Sequence, residues 1–97
     1  MENNNVFVFA KITPKKEFFE LAKSELLEMS KPTHEEEGCI KFDIHESACG
    51  SYIYLYEEWL NKDVLQNHHN EEHTKIVASK FEHWLDAPTD VSFMNKL

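Results

Sequence analysis

Residues 6–12, VFVFAKI, are apolar with almost no alternation. A run that short, rich in β-branched and aromatic side chains, predicts a strand buried on both faces. Thr13 then reads as a helix N-cap with Pro14 at the first helical position, and Phe18, Leu21, Ala22, Leu26 and Met29 recur at three- and four-residue spacing. That pattern predicts an amphipathic helix of about five turns, ended by Pro32. THEEEG, residues 33–38, follows as an acidic loop whose Gly38 is expected in a backbone conformation that other residues avoid. CIKFDIHE alternates, with Ile40, Phe42 and Ile44 on one face, and SYIYLYEEW follows the turn-like ACG, so the two predict a hairpin. In its second strand Ile53, Leu55, Glu57 and Trp59 share one face, and Tyr52, Tyr54, Tyr56 and Glu58 the other. Asn61 is placed to cap a short helix through His68 or His69. Asn70 is placed to cap a longer one striped by Ile76, Val77, Phe81, Trp84 and Leu85 and closed by Pro88. VSFMNKL is a terminal strand.

The predicted order, β-α-β-β-α-α-β, suits an α+β ferredoxin-like sandwich. Its 97 residues make one domain, 1–97, with residues 1–5 expected as a disordered tail. A core this small is often completed by pairing with a second copy, so a homodimer is expected. Eighteen acidic against ten basic residues give a net charge of −8, which argues against nucleic acid and anionic membrane surfaces as partners. No apolar run is long enough to span a bilayer, and MENNN lacks the basic-then-apolar order of a secretory signal, so a cytoplasmic location is expected. Cys39 and Cys49 fit no C-x-x-C pattern and are expected as free thiols.

The stretch EEWLNKDVLQNHHNEEH, residues 57–73, concentrates the candidate chemistry. His68, His69 and His73 beside Glu71 and Glu72 are ligand types, but H-N-E-E-H lacks the order of a zinc protease, so no metal is expected and His69, Glu71 and Glu72 read as a solvated junction. His68 lies three residues beyond Leu65 and so shares its inward helical face. Glu57, between Leu55 and Trp59, must be paired or protonated if buried, with an imidazole or Lys41 as the partner. Phe7, Phe9, Phe42, Tyr52, Tyr54, Tyr56, Trp59 and Phe93 all fall on predicted strands, as core or as walls for a planar ligand. No nucleophile elbow or phosphate-cradling glycine loop is present.

Taken in order, an E-x-G-C string, alternating I-x-F-x-I, then L-x-E-x-W, a histidine nine residues past the tryptophan and another five later resemble the antibiotic biosynthesis monooxygenase (ABM) family, in particular its small quinol-monooxygenase-like members. The residues that carry the resemblance are Glu37, Gly38, Cys39, Ile40, Phe42, Leu55, Glu57, Trp59, Leu65, His68 and His73. The resemblance implies a dimeric α+β barrel of ferredoxin-like subunits that oxidises a quinol or polyphenolic ring with dioxygen and no cofactor. His68 and Glu57 would then be catalytic, with Trp59 and His73 binding substrate. The heme-degrading branch is set apart by an asparagine on the first strand, absent from VFVFAKI, and by different residues at positions 68 and 78, here His68 and Ala78, so heme cleavage is not expected. A non-catalytic dimeric ligand-binding protein and an isomerase of a small metabolite are the alternative readings.

Overall fold

The computed structural model describes residues 4–97. Strands β1 (Val6–Ile12), β2 (Cys39–Glu46), β3 (Ile53–Trp59) and β4 (Asp90–Met94) form one antiparallel sheet in the order β2-β3-β1-β4, with helices α1 (Phe19–His34), α2 (Lys62–Asn70) and α3 (Glu72–Trp84) between them. This is the expected α+β ferredoxin-like fold. Every pairing is antiparallel, so each strand alternates an inner side, toward the helices, with an outer one. Val8, Ala10, Ile12, Phe42, Ile53, Leu55 and Trp59 point inward to a core closed by Ala22, Leu26 and Met29 of α1, Leu65 of α2 and Val77 of α3. The outer side of β1 is buried only in part: Phe7 is covered, at 8% exposure, whereas Phe9 is 36% exposed and stacks on Tyr54. The three tyrosines of the hairpin share that outer side, and none of them lines the space between the sheet and the helices, contrary to one reading of the aromatic pattern.

Local signals were overridden where long-range pairing competed with them. Thr13 does not cap α1. Its carbonyl accepts the Asp86 N–H at 2.8 Å, Pro14 bridges Leu85, and Lys15 N–H donates to the Trp84 carbonyl at 2.8 Å, tying the end of α3 to the exit of β1. Only then does a 3-10 turn, Lys16–Phe18, lead into α1. Pro32 does not end that helix either; it continues to His34 with Pro32 inside it. A proline there forgoes its own N–H bond and crowds the carbonyl one turn back, and here the buried Thr33 hydroxyl adds a 2.8 Å bond to the Met29 carbonyl. Asn61 caps α2 as expected, accepting the Val64 N–H at 2.8 Å. Asn70 does not cap α3; it closes α2, and Glu71 alone separates the two helices. Helix α3 ends at Trp84, ahead of Pro88.

Two further departures shape the region beneath the helices. A register shift between Cys39 and Lys41 breaks the alternation of β2, so Ile40 turns outward, 49% exposed, while Phe42 is fully buried. Gly38 takes φ +84°, where a side chain is strained, and a Cβ there would lie 2.6 Å from Val64 Cγ1. The turn leaving α1 is thus pressed against α2. Of the expected N-terminal tail, residues 1–3 lie outside the described residues, and Asn5 donates to Glu58 Oε2 at 2.7 Å.

Candidate functional site

Between the inner side of the sheet and the three helices lies a cavity of about 230 Å³. Aliphatic side chains of β1, α1 and α3 and the rings of Phe42, Phe81 and Phe93 make most of its wall. Glu57 and His68 are its two buried ionisable lining residues, at 6% and 4% exposure. Each is there for the reason its sequence position implies: Glu57 alternates with Leu55 and Trp59 on β3, and His68 shares a helical face with Leu65.

The two do not pair with each other. Glu57 accepts a 2.8 Å hydrogen bond from the Trp59 indole Nε1, two residues along its own strand. Lys41 is no partner for it; across the hairpin Lys41 faces Glu58, and Phe42 faces Glu57. Burial pushes the Glu57 carboxyl above the ordinary glutamate range, the indole bond opposes this, and the negative charge of Glu36 adds to it.

His68 instead meets Glu36, in the turn between α1 and β2, through Nδ1 at 3.0 and 3.1 Å from its two carboxylate oxygens. His73, at the start of α3, places Nε2 2.6 Å from the same carboxylate. A carboxylate only accepts, so His68 donates through Nδ1–H and His73 through Nε2–H. Among the described residues, every hydrogen bond of the His68 ring uses Nδ1, the 3.5 Å contact with the Thr74 hydroxyl included. Its Nε2 therefore keeps its lone pair. Trp59, fully buried, lies against the imidazole at 4.5 Å between ring centroids, and Phe42 at 5.8 Å. Burial holds the His68 pKa below its ordinary value, outweighing the opposing pull of Glu36, with the neighbouring His69 and His73 lowering it further.

Of the four residues singled out from the sequence, Glu57 and His68 line the cavity. Trp59 supports His68 from behind, and His73 holds Glu36; neither is among the lining residues. Glu36 was missed. It leads the E-x-G-C string, and the resemblance was laid on its neighbour Glu37, which is exposed. Glu36, His68 and His73 bring three ligand atoms within 4.8 Å of one another, a donor set of two imidazoles and a carboxylate.

A family profile, Antibiotic biosynthesis monooxygenase, matches residues 5–80, well over half of the chain. The chain belongs to the ABM family. "Putative monooxygenase Rv0793" of Mycobacterium tuberculosis is 27% identical over 92 residues, 95% of this chain and 91% of that protein. The solved structure of Rv0793 superposes with a TM-score of 0.91 over 96% of this chain and 95% of its own. PA3566 from Pseudomonas aeruginosa, 24% identical, gives 0.91 over 100% and 97% of the two chains. A structure described as a putative antibiotic biosynthesis monooxygenase from Nitrosomonas europaea, 18% identical, gives 0.92 over 100% and 94%; these last two likenesses concern the fold alone. In this ABM domain the family match contains Glu36, Glu57, His68 and His73 and stops before Phe81, Val91 and Phe93, which close the cavity. Among the described residues no helix is long and apolar enough to cross a membrane.

Proposed function

We propose that this ABM domain is a monooxygenase that oxidises a quinol-like or polyphenolic small molecule with dioxygen, without a cofactor. One observation carries the reading: a hydrocarbon-walled cavity lined by a buried imidazole whose Nδ1 is held by a carboxylate, which leaves its Nε2 without a hydrogen-bond partner among the described residues. Such a cavity suits one flat ring with few polar groups. His68 Nε2 takes the proton of a ring hydroxyl, and the imidazolium that forms is stabilised by Glu36. The resulting hydroxyarene anion is electron-rich enough to reduce dioxygen itself. One oxygen atom becomes bonded to the ring carbon and the other leaves as water, so a hydroquinone and one dioxygen give a hydroxyquinone and one water, all four electrons coming from the quinol. Glu57 positions the substrate's second hydroxyl, Trp59 holds the His68 ring in plane, and His73 fixes Glu36.

The apolar outer side of the sheet, with Phe9 and Tyr56 each 36% exposed, supports a homodimer built on that side. Two free thiols, Cys39 and Cys49, suit a reducing, cytoplasmic setting. The test of the function is oxygen uptake with a panel of hydroquinones, followed by mass analysis of product formed under ¹⁸O₂. The expected result is one labelled oxygen per product in wild type and little uptake in His68→Ala. Equal turnover by both proteins, or substrate conversion with no oxygen consumed, would sink the reading.

A further inference from the structure

The Glu36–His68–His73 cluster is larger than a base needs. Orienting one imidazole takes one carboxylate, yet here a second imidazole, from another helix, converges on the same oxygen: Glu36 Oε2 is 3.0 Å from His68 Nδ1 and 2.6 Å from His73 Nε2. We propose that Glu36, His68 and His73 form a binding site for a first-row divalent transition metal of the zinc class.

The donor chemistry selects that class. Two imidazole nitrogens with one carboxylate suit zinc, cobalt, nickel or copper, whereas calcium and magnesium seek oxygen ligands. Zinc lies roughly 2.0–2.2 Å from such donors, which places them about 3–3.5 Å apart. The three atoms already lie within 4.8 Å of one another, so accommodation asks the widest pair to close by roughly 1–2 Å, shared between two side chains, while the shortest pair opens. Three protein donors leave a further position for water. His73, 22% exposed at its side chain, keeps the cluster within reach of solvent. The exposed Glu35, Glu37, Glu71 and Glu72 around it add to a field that attracts dications.

Binding requires both histidines to exchange tautomers. The proton on His68 Nδ1 moves to Nε2, and that on His73 Nε2 moves to Nδ1, so no net proton is released. His68 Nε2 then carries a hydrogen where a base must offer a lone pair. Occupation therefore silences the base, a consequence that rests on the function proposed above; the binding itself does not.

Cobalt(II) is the probe. Full-length protein, purified through a chelator, is titrated with cobalt chloride and followed by visible absorption and calorimetry. Expected are d–d bands saturating at one cobalt per chain, displacement by zinc, and affinity lowered at least tenfold in both Glu36→Gln and His73→Ala. His69→Ala, which removes a neighbouring imidazole outside the donor set, should bind as wild type does. Circular dichroism checks that each variant is folded, and His73→Ala, at a half-buried position, carries the test if Glu36→Gln is not. No saturable bands at 100-fold cobalt excess, or binding that survives in the folded Glu36 and His73 variants, would overturn the site. Zinc should also suppress quinol-dependent oxygen uptake, and chelator should restore it. Cobalt binding with no quinol oxidation in any metal state would retain the site and remove the functional reading. Oxidation indifferent to saturating zinc would remove the silencing and, with it, the placement of the cation on His68 Nδ1.

Discussion

Two carboxylates, the buried Glu57 and the partly buried Glu36, stand on either side of this site, and they are held in opposite ways. Glu57 lies in the middle of a four-stranded sheet, and its partner, Trp59, is two residues away on the same strand face. Glu36 lies in a short turn, and its partners, His68 and His73, come from positions 32 and 37 residues further on, one on each of two helices. The first arrangement exists as soon as the strand forms. The second exists only when α2 and α3 have docked, so the group proposed to orient the base depends on tertiary packing that the sheet does not supply. In the function proposed above, the sheet side carries the substrate-positioning role, while the helix side carries the proton chemistry and the proposed cation.

The largest expected effects fall on the helix side. His68→Ala should reduce quinol-dependent oxygen uptake by about two to four orders of magnitude, the usual contribution of a general base. Glu36→Gln should fall nearly as far, because an amide that donates to Nδ1 forces the proton of His68 onto Nε2, the wrong tautomer. Glu57→Gln should lose less, since its amide oxygen still accepts the Trp59 indole and the substituted group still offers a polar contact to substrate. Steady-state rates of the three variants measured side by side decide this; a greater loss in Glu57→Gln than in Glu36→Gln would reverse the assignment.

Next in size is Gly38→Ala, which strikes the packing between the turn and α2. The strain of positive φ and the clash with Val64 together should cost about 2–5 kcal/mol, read from urea unfolding. Because Val64 and His68 are on the same helix, the NMR signals of the His68 ring should shift more than the Trp59 indole N–H. Trp59→Phe attacks the other carboxylate: it removes the donor to Glu57 and leaves a buried acceptor short of a partner, a loss of about 1–3 kcal/mol. Indole–carboxylate pairing without energetic weight would show as a Trp59→Phe chain as stable as wild type.

What could be read from the sequence follows the same division. Period-two alternation placed Glu57 and Trp59 on one inner face, and the Leu65–His68 spacing placed His68 inward, because both are local consequences of backbone geometry. The order of elements was legible for the same reason. Their ends were not: Thr13, Pro32 and Asn70 carry strong local signals, yet Thr13 is drawn into bonds with the α3 terminus, Pro32 is tolerated in a late turn, and Asn70 completes α2. Ile40 defeated alternation through a bulge that only the pairing with β3 reveals. Glu36 was hidden more deeply, as one of three consecutive glutamates with nothing local to distinguish it. Only the ordered E-x-G-C string marked it out, and reading that string from its first letter would have found it.

The smallest effect expected separates the two carboxylates by their protons. Burial raises the folded-state pKa of Glu57 above the ordinary value of 4.5. The folded protein therefore holds that proton to higher pH than the unfolded chain does, and stability from this group is fully present below the ordinary value and is lost as pH rises through the raised one. Glu57→Gln cannot titrate and keeps the Trp59 bond. Plotted as wild type minus variant, unfolding free energy should decline with pH from about the unfolded glutamate value up to the raised folded value, then level off. Chemical denaturation at closely spaced pH values between those limits reads the slope directly. A flat difference would mean that the indole bond fully offsets burial, and an upward slope would mean that Glu57 finds a cation on folding and resembles an ordinary paired carboxylate more than the buried, substrate-facing group described above.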